Sequence, residues 1–376
     1  MAKDEVDTEA GLGAIRHSID QKSLETYLTK NFPAEFVAPF TLQQFGFGQS
    51  NPSYQVKDAL GRKYVLRKKP PGKLVSKTAH AVDREYAMLK ALYEIFNGDI
   101  PVPRVICLCQ DPDVIGSDFY MMEFVKGRIF HYPTLPDLSP KDRRECWQSA
   151  VKTLAKLHSV DPRKLPPIFT KRLESHYPRQ LGSLSAVAKA QAAVTDIDTG
   201  KTVGPIPQFE EIVKWMAQHM PKERVTIVHG DYKIDNLIFH PTENKVIAIL
   251  DWELCTVGHP LADLGNLMQP FSWPESLFGE GFGLQDTAAP LPQGLPTVQE
   301  NLELYTSLTG YDASKDWTFA IVSAHFRLSV IAHGIKARVA RKQASSENAA
   351  KHAESVGTLA RLAIEEIEKT EKKSKI

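Results

Sequence analysis

The sequence predicts an α+β protein of two lobes, a small one of antiparallel strands with one long helix and a larger, mainly helical one. Three observations predict it. Short runs of strand character, Thr41–Phe45, Ser53–Val56 and Lys63–Arg67, follow one another early in the chain, separated by turn residues. One long helical pattern comes after them. Beyond Lys126-Gly127-Arg128 the apolar periodicity becomes helical for most of the remaining length.

Taken in order, residues 1–20 read as a flexible arm and 21–125 as the small lobe. A glycine-bearing loop, Gly46-Phe47-Gly48-Gln49-Ser50-Asn51, joins the first two strands, and Asp58-Ala59-Leu60-Gly61 turns the second pair. Pro70-Pro71-Gly72 breaks the chain. From Ala79 to Phe96 the residues Val82, Tyr86, Leu89 and Phe96 recur at near-helical intervals, and Pro101–Leu108 and Phe119–Phe124 read as further strands. Residues 126–369 form the larger lobe. Ser139-Pro140 is a helix start, a capping hydroxyl followed by proline at the first helical position, and Trp147, Ala150, Val151, Leu154 and Leu157 continue its apolar face. Val225–Val228, Leu237–Phe239 and Val246–Leu250 are short apolar strands within the helical half. Pro290–Pro296 is a surface loop, Trp317–Arg341 and Ser346–Lys369 are helical, and residues 370–376 are a disordered tail.

Of 376 residues, 42% are hydrophobic and 24% charged, which suits a chain with a real core and excludes a collagen-like or wholly disordered one. Lys and Arg total 46 against 45 Asp and Glu, so the bulk charge gives no reason to expect a nucleic-acid or membrane-surface partner. The four cysteines, Cys107, Cys109, Cys146 and Cys255, form no CxxC pair and no zinc spacing, and read as reduced intracellular thiols. The acidic start lacks the apolar segment of a secretory signal, and no run approaches the ~18 apolar residues of a membrane span. The last residues, Ser374-Lys375-Ile376, stand one substitution from the Ser-Lys-Leu address that a peroxisomal import receptor reads. A peroxisomal location is therefore expected, and a cytoplasmic one otherwise.

The densest cluster of reactive groups is His229-Gly230-Asp231-Tyr232-Lys233-Ile234-Asp235-Asn236, a polar loop between two apolar strands. Asp251 follows the strand Val246–Leu250. Asp231, Asn236 and Asp251 are hard oxygen donors, of the kind Mg²⁺ takes singly or in pairs while water and phosphate complete its shell. Any one of them alone reads as a turn residue capping a backbone amide; the string HGDxxxxN followed by ILDWE does not.

Those two strings, HGDYKIDN and ILDWELCTVGHPLADL, resemble the aminoglycoside phosphotransferase and choline kinase superfamily, which has a bilobal protein-kinase-like fold. More closely, FGFGQSNPSYQV, YVLRKKPPGKL, AHAVDREYAMLKAL, YMMEFVKGRIF, GLPTVQENLELYTSLTG and HFRLSVIAHGIKAR resemble the kinase-like N-terminal domain of long acyl-CoA dehydrogenase family proteins. The resemblance runs from about residue 20 to residue 341, and no stretch resembles a dehydrogenase portion. It implies an ATP- and Mg²⁺-dependent transferase with Asp231 as the base for the acceptor hydroxyl and Asn236 and Asp251 as metal ligands. It also implies that Gly46, Gly48, Ser50 and Asn51 line the phosphates, although Asn51 stands where a protein-kinase loop has glycine. Glu123 and Phe124 would form the hinge facing the adenine. Arg67 occupies the place of the usual phosphate-gripping lysine. It shares a strand face with Val65 and would pair with Glu85, with Lys69 as the rival on the same face and Lys68 pointing away. Asp263 is read as structural, tying the following segment to the loop.

The acceptor follows from weaker signals. The helix carrying His325, Arg327, His333, Lys336, Arg338 and Arg341 contains no acid, and Arg327 and Arg338 lie three turns apart on one face. Such a face suits an anionic acceptor, and the branch resembled implies a hydroxyacyl-CoA or a related hydroxy acid, within acyl-CoA metabolism. The alternatives are a kinase of cationic aminoglycoside- or choline-like molecules and a non-catalytic nucleotide-binding module. A protein kinase would need HRD and DFG motifs and a long activation segment. HGD and DWE stand in their places, and Gly258-His259-Pro260 runs straight into Leu261-Ala262-Asp263-Leu264.

Overall fold

The computed structural model describes residues 5–9, 11–15, 19–46, 51–70, 82–171, 173–279, 281–285, 290–343 and 349–373. In chain order its elements are β1 (Glu5–Asp7), β2 (Leu12–Gly13), α1 (Gln21–Asn31), β3 (Thr41–Phe45), β4 (Ser53–Lys57), β5 (Lys63–Lys68), α2 (Val82–Ile95), β6 (Val105–Cys109), α3 (Pro112–Ile115), β7 (Phe119–Glu123) and β8 (Arg128–Phe130). Then come α4 (Pro140–Ser159), α5 (Pro167–Thr170), α6 (His176–Ala192), α7 (Phe209–Gln218), β9 (Thr226–Val228), β10 (Leu237–Phe239), β11 (Val246–Ile249) and β12 (Thr256–Gly258). The helices α8 (Leu261–Met268), α9 (Val298–Thr309), α10 (Trp317–Ala340) and α11 (Ala349–Lys373) complete the chain, joined by short 3₁₀ turns. Two compact units result. One comprises Met1–Phe130, Lys164–Ile168 and Asp235–Cys255, and the other His131–Arg163, Phe169–Ile234 and Thr256–Ile376.

The first unit is built on a six-stranded antiparallel sheet in the order β2-β3-β4-β5-β7-β6. Strand alternation decides what each face carries. Tyr54, Val56, Tyr64, Leu66, Phe119 and Met121 lie on one side, in a core closed by Leu24 and Leu28 of α1 and by Phe36 and Phe40. Helix α1 starts where the Asp20 carboxylate accepts a hydrogen bond from the Ser23 N–H at 2.9 Å. Its two fully buried leucines, one turn apart, contribute about 1.5–3 kcal/mol each. The opposite parity, Val65 and Arg67, is left for the side of α2. A second sheet, β1-β8-β10-β11, belongs to the same unit. Gly127 lets β8 approach β10, since a Cβ there would meet the Phe239 carbonyl oxygen at 2.3 Å.

In the second unit α4 begins at Ser139, whose hydroxyl accepts from the Asp142 N–H, with Pro140 at the first helical position. It buries Cys146, Trp147, Ala150, Val151, Leu154 and Leu157. Strands β9 and β12 pair antiparallel, Thr256 opposite Val228. Gly265 brings α8 directly against α10, because a Cβ there would lie 2.8 Å from the Ala320 carbonyl oxygen.

Several expectations are modified. Residues 5–7 and 12–13 are strands paired to β8 and β3, so this part of the expected arm is built into the sheets. Helix α11 continues to Lys373, through the first part of the expected tail. Ser374, Lys375 and Ile376 lie outside the described residues, as does the expected helix start at Ala79. Ala313–Ala340, with an 18-residue window of mean hydropathy 1.3, is long and apolar enough to cross a membrane by length and composition, which corrects the reading that no run reaches that size. Seventy-two per cent of that window is buried within the protein, so here the apolar surface serves a core helix.

Candidate active site

In the first unit Asn236 and Asp251, fifteen positions apart in the chain, are joined through a hairpin. Strands β10 and β11 form an antiparallel hairpin with Leu237 opposite Ile249, and the Leu250 N–H continues the ladder to the Asn236 carbonyl at 2.8 Å. Asn236 and Asp251 therefore flank the open end of one buried hairpin. Asp251 adopts φ +64°, ψ +61°, a left-handed conformation that costs a non-glycine residue roughly 1–2 kcal/mol. Trp252 holds it there, buried and donating its indole N–H to the Ile249 carbonyl at 2.9 Å.

One oxygen of Asp251 is engaged by Arg67, whose guanidinium lies 2.5 Å from Oδ1. The same guanidinium forms an ion pair with Glu85 of α2 (Nε to Oε2, 3.0 Å) and lies 3.8 Å from Glu253. Burial works against the charge on Arg67, but the carboxylates of Glu85 and Asp251 outweigh it and raise its pKa. Burial pushes the Glu85 carboxyl above its ordinary range, against the pull of Arg67. The two lysines after Arg67 are turned elsewhere: Lys69 pairs with Asp118 at 2.5 Å, and buried Lys68 donates to the Ile115 carbonyl. Among the three basic residues of this strand end, Arg67 is the one set against the carboxylates.

The second unit supplies the loop after β9. Asp263, fully buried on α8, accepts from the His229 N–H at 2.7 Å through Oδ2 and from the Gly230 N–H at 2.8 Å through Oδ1. His158 of α4 approaches Oδ2 at 3.2 Å, and its other ring nitrogen meets the Tyr305 hydroxyl of α9 at 2.8 Å. Burial alone would raise the Asp263 pKa; the hydrogen bonds from His158 and the loop amide hold it below the usual carboxylate range. The Asp231 N–H donates to His229 Nδ1 at 3.1 Å, so that nitrogen carries no proton. Gly230 has φ +85°, which glycine adopts without a Cβ penalty. Tyr232 is buried and donates its hydroxyl to the Ala150 carbonyl. Asp231 remains 28% exposed at the side chain, with the Lys233 ammonium 3.7 Å away.

Other sequence-predicted residues fare differently. The Gly46 N–H donates to the Gly11 carbonyl at 3.0 Å, which ties the start of the loop to β2 and its neighbouring turn. Gly48 and Ser50 lie outside the described residues, and Asn51 is buried. Glu123 is tied to Arg104 on both sides, its N–H donating to the Arg104 carbonyl and its carboxylate accepting from the Arg104 N–H. Phe124 stacks on Phe45, with ring centroids 6.4 Å apart. The basic face of α10 is corrected most. His325 and His333 are buried, His325 between Gln269 and Ser272. Arg327 is turned onto the backbone of the loop after β9, whereas Arg338 is exposed. The late helix thus presents no continuous cationic face. Sequence reasoning missed His158, Tyr305 and Asn266, which act through contacts between distant elements.

Among the described residues no group of three His, Cys, Asp or Glu gathers as a metal cluster. One carboxylate and one amide oxygen at the hairpin end nevertheless fit Mg²⁺, which needs few protein ligands when phosphate and water supply the rest.

Comparison with known proteins gives a consistent picture. Residues 41–296 match the phosphotransferase enzyme family. Acyl-CoA dehydrogenase family member 11 of Gallus gallus is 37% identical over 376 residues, covering 95% of this chain and 45% of that protein. Its Homo sapiens counterpart is 36% identical over 342 residues, covering 89% and 41%. The chain spans less than half the length of these curated relatives. Among solved structures, a Ralstonia eutropha JMP134 protein provisionally described as an aminoglycoside phosphotransferase is 32% identical, with TM-score 0.77, covering 94% of this chain and 99% of that one. The streptomycin–ATP ternary complex of APH(2″)-IIa shares the fold at 14% identity, with TM-score 0.53, covering 84% and 91%.

Proposed function

The chain belongs to the phosphotransferase enzyme family, and from that premise we propose that it transfers the γ-phosphoryl group of ATP to a hydroxyl of a small metabolite. The observation that carries this reading is the hairpin end that sets Asp251 beside the Asn236 backbone and under Arg67, itself paired with Glu85. Asn236 and Asp251 would hold Mg²⁺, which when bound neutralises charge on the phosphates. Arg67 offers a forked, permanently charged donor to the α- and β-phosphates. Asp231 accepts the hydroxyl proton as that oxygen bonds to the γ-phosphorus and the bond to the β-phosphate oxygen breaks, releasing ADP.

The acceptor in this reading is a hydroxyacyl-CoA or a related hydroxy acid. Its support is the name shared by the curated relatives, acyl-CoA dehydrogenase family member, over most of this chain. The test is a mass-spectrometric screen with Mg-ATP against hydroxyacyl-CoAs, free hydroxy acids, choline-like alcohols, sugars and aminoglycosides, with Asp231→Asn as the blank. A phosphorylated acyl-CoA or hydroxy acid absent from the blank is the expected result. Phosphorylation of a cationic compound alone would keep the kinase and discard the acceptor class. Nucleotide binding that needs no Mg²⁺, with no product from any compound, would leave a binding module instead.

A further inference from the structure

We infer that Arg327 is a positioning residue for Asp231, acting through the loop backbone together with Asn266, and that it does not bind the acceptor. The inference rests on the reading of Asp231 as the base. Its geometry is a closed ring of hydrogen bonds in the second unit. Arg327 donates through one terminal nitrogen to the Gly230 carbonyl at 2.6 Å and through the other to Asn266 Oδ1 at 3.3 Å. The Asn266 amide donates in turn to the Tyr232 carbonyl at 3.1 Å. The carbonyls immediately before and after Asp231 are thus both held, and the holders are tied to each other.

The amide side of the same loop is held independently. Asp263 takes the N–H groups of His229 and Gly230, and His229 takes that of Asp231. Arg327 and Asn266 therefore complete the backbone restraint around the one side chain that must meet a substrate hydroxyl. Close packing makes the reach possible. Gly265, next to Asn266, lets α8 lie on Ala320, and Arg327 follows Ala320 by seven residues, two turns along α10. A guanidinium can serve two acceptors in one plane at once, whereas a lysine ammonium on a flexible stem is not preorganised to do so. Since both terminal nitrogens are used within the chain, the charge of Arg327 is spent on orientation of the loop.

The test uses the full chain and the variants Arg327→Gln, Arg327→Lys, Asn266→Ala, their Gln/Ala double variant and Asp231→Asn. Hydrogen–deuterium exchange of residues 229–236 is followed beside Mg-ATP turnover, measured with water as the acceptor and again with the anionic acceptor that the screen identifies. Arg327→Gln and Asn266→Ala should each speed exchange in that segment and lower turnover about 10- to 100-fold, with KM for ATP within about twofold of the parent. The double variant should be no worse than the worse single, because both residues serve one ring. Arg327→Lys should restore only part of the loss. Unchanged exchange in both single variants overturns the inference whatever the turnover, and faster exchange with parental turnover overturns it as well. A raised KM for an anionic acceptor with parental kcat would make Arg327 an acceptor ligand and overturn it too. Parental turnover in Asp231→Asn would instead remove the base reading, while the exchange result would still report on the ring.

Discussion

Arg67 and Asp251 lie 184 positions apart in the chain and meet with a guanidinium nitrogen 2.5 Å from a carboxylate oxygen. The contact links β5, the fourth strand of the large sheet, to the end of the β10–β11 hairpin within one unit. It exists because strand parity sends Arg67 away from the Tyr64–Leu66 core and toward α2, where Glu85 is buried as its second partner.

Replacing Arg67 by alanine should destabilise the protein by about 3–5 kcal/mol, because Glu85 would be left buried without its counter-charge. Equilibrium urea unfolding checks this. A change under about 1 kcal/mol, the worth of an exposed ion pair, would show that the pair is not a buried one in solution.

Asp251→Ala should abolish Mg²⁺-dependent nucleotide binding, since the hairpin end would lose the carboxylate assigned to the metal while Asn236 remained. Titration calorimetry with ATP, with and without Mg²⁺, reads the difference directly. A Mg²⁺ effect equal to that of the parent would remove Asp251 from the metal site.

Much of this was legible in sequence and some was not. Asn236 and Asp251 could be singled out because they stand in two short polar strings beside apolar strands; the hairpin that joins them is a finding of the structure. Strand alternation places Arg67 on the Val65 face, and the family resemblance implies its pairing with Glu85, which the structure shows at 3.0 Å. The ties of His158 to Asp263 and Tyr305 could not be read: they join positions 105 and 147 apart, on α4, α8 and α9, and leave no periodic signal. The basic run of α10 misled because charge along a helix does not reveal that His325 and His333 are core residues or that Arg327 serves backbone carbonyls.

Acid should weaken the second unit before the carboxylates titrate. Burial lowers His176 to about 4 and His259 and His325 to about 3. In the unfolded chain each takes up a proton near pH 6.5, whereas the folded chain leaves them neutral, so the unfolded state binds more protons below that pH. Stability is therefore full above about pH 7 and falls as pH drops from 6.5 toward 4, by up to about 1.4 kcal/mol per pH unit for each histidine. Unfolding free energies measured from pH 7.5 to 5 should show this slope, and His325→Gln should lower it by about one third, since His176 and His259 remain. A flat profile in the parent would contradict the burial of these rings.

Gly265→Ala should force α8 from α10, at a cost of about 1–3 kcal/mol, and reproduce the turnover loss of Arg327→Gln. Parental thermal stability together with parental turnover would show that the close helix approach is dispensable.

The measurement that bears most directly on the account is the comparison of Asp231→Asn with the parent under saturating Mg-ATP and the best acceptor from the screen. Turnover should fall by about 10²–10⁴-fold, as loss of a general base requires, while ATP affinity by calorimetry stays near that of the parent. Equal turnover in the two proteins would contradict the assignment of Asp231 as base, and with it the proposed chemistry of the loop.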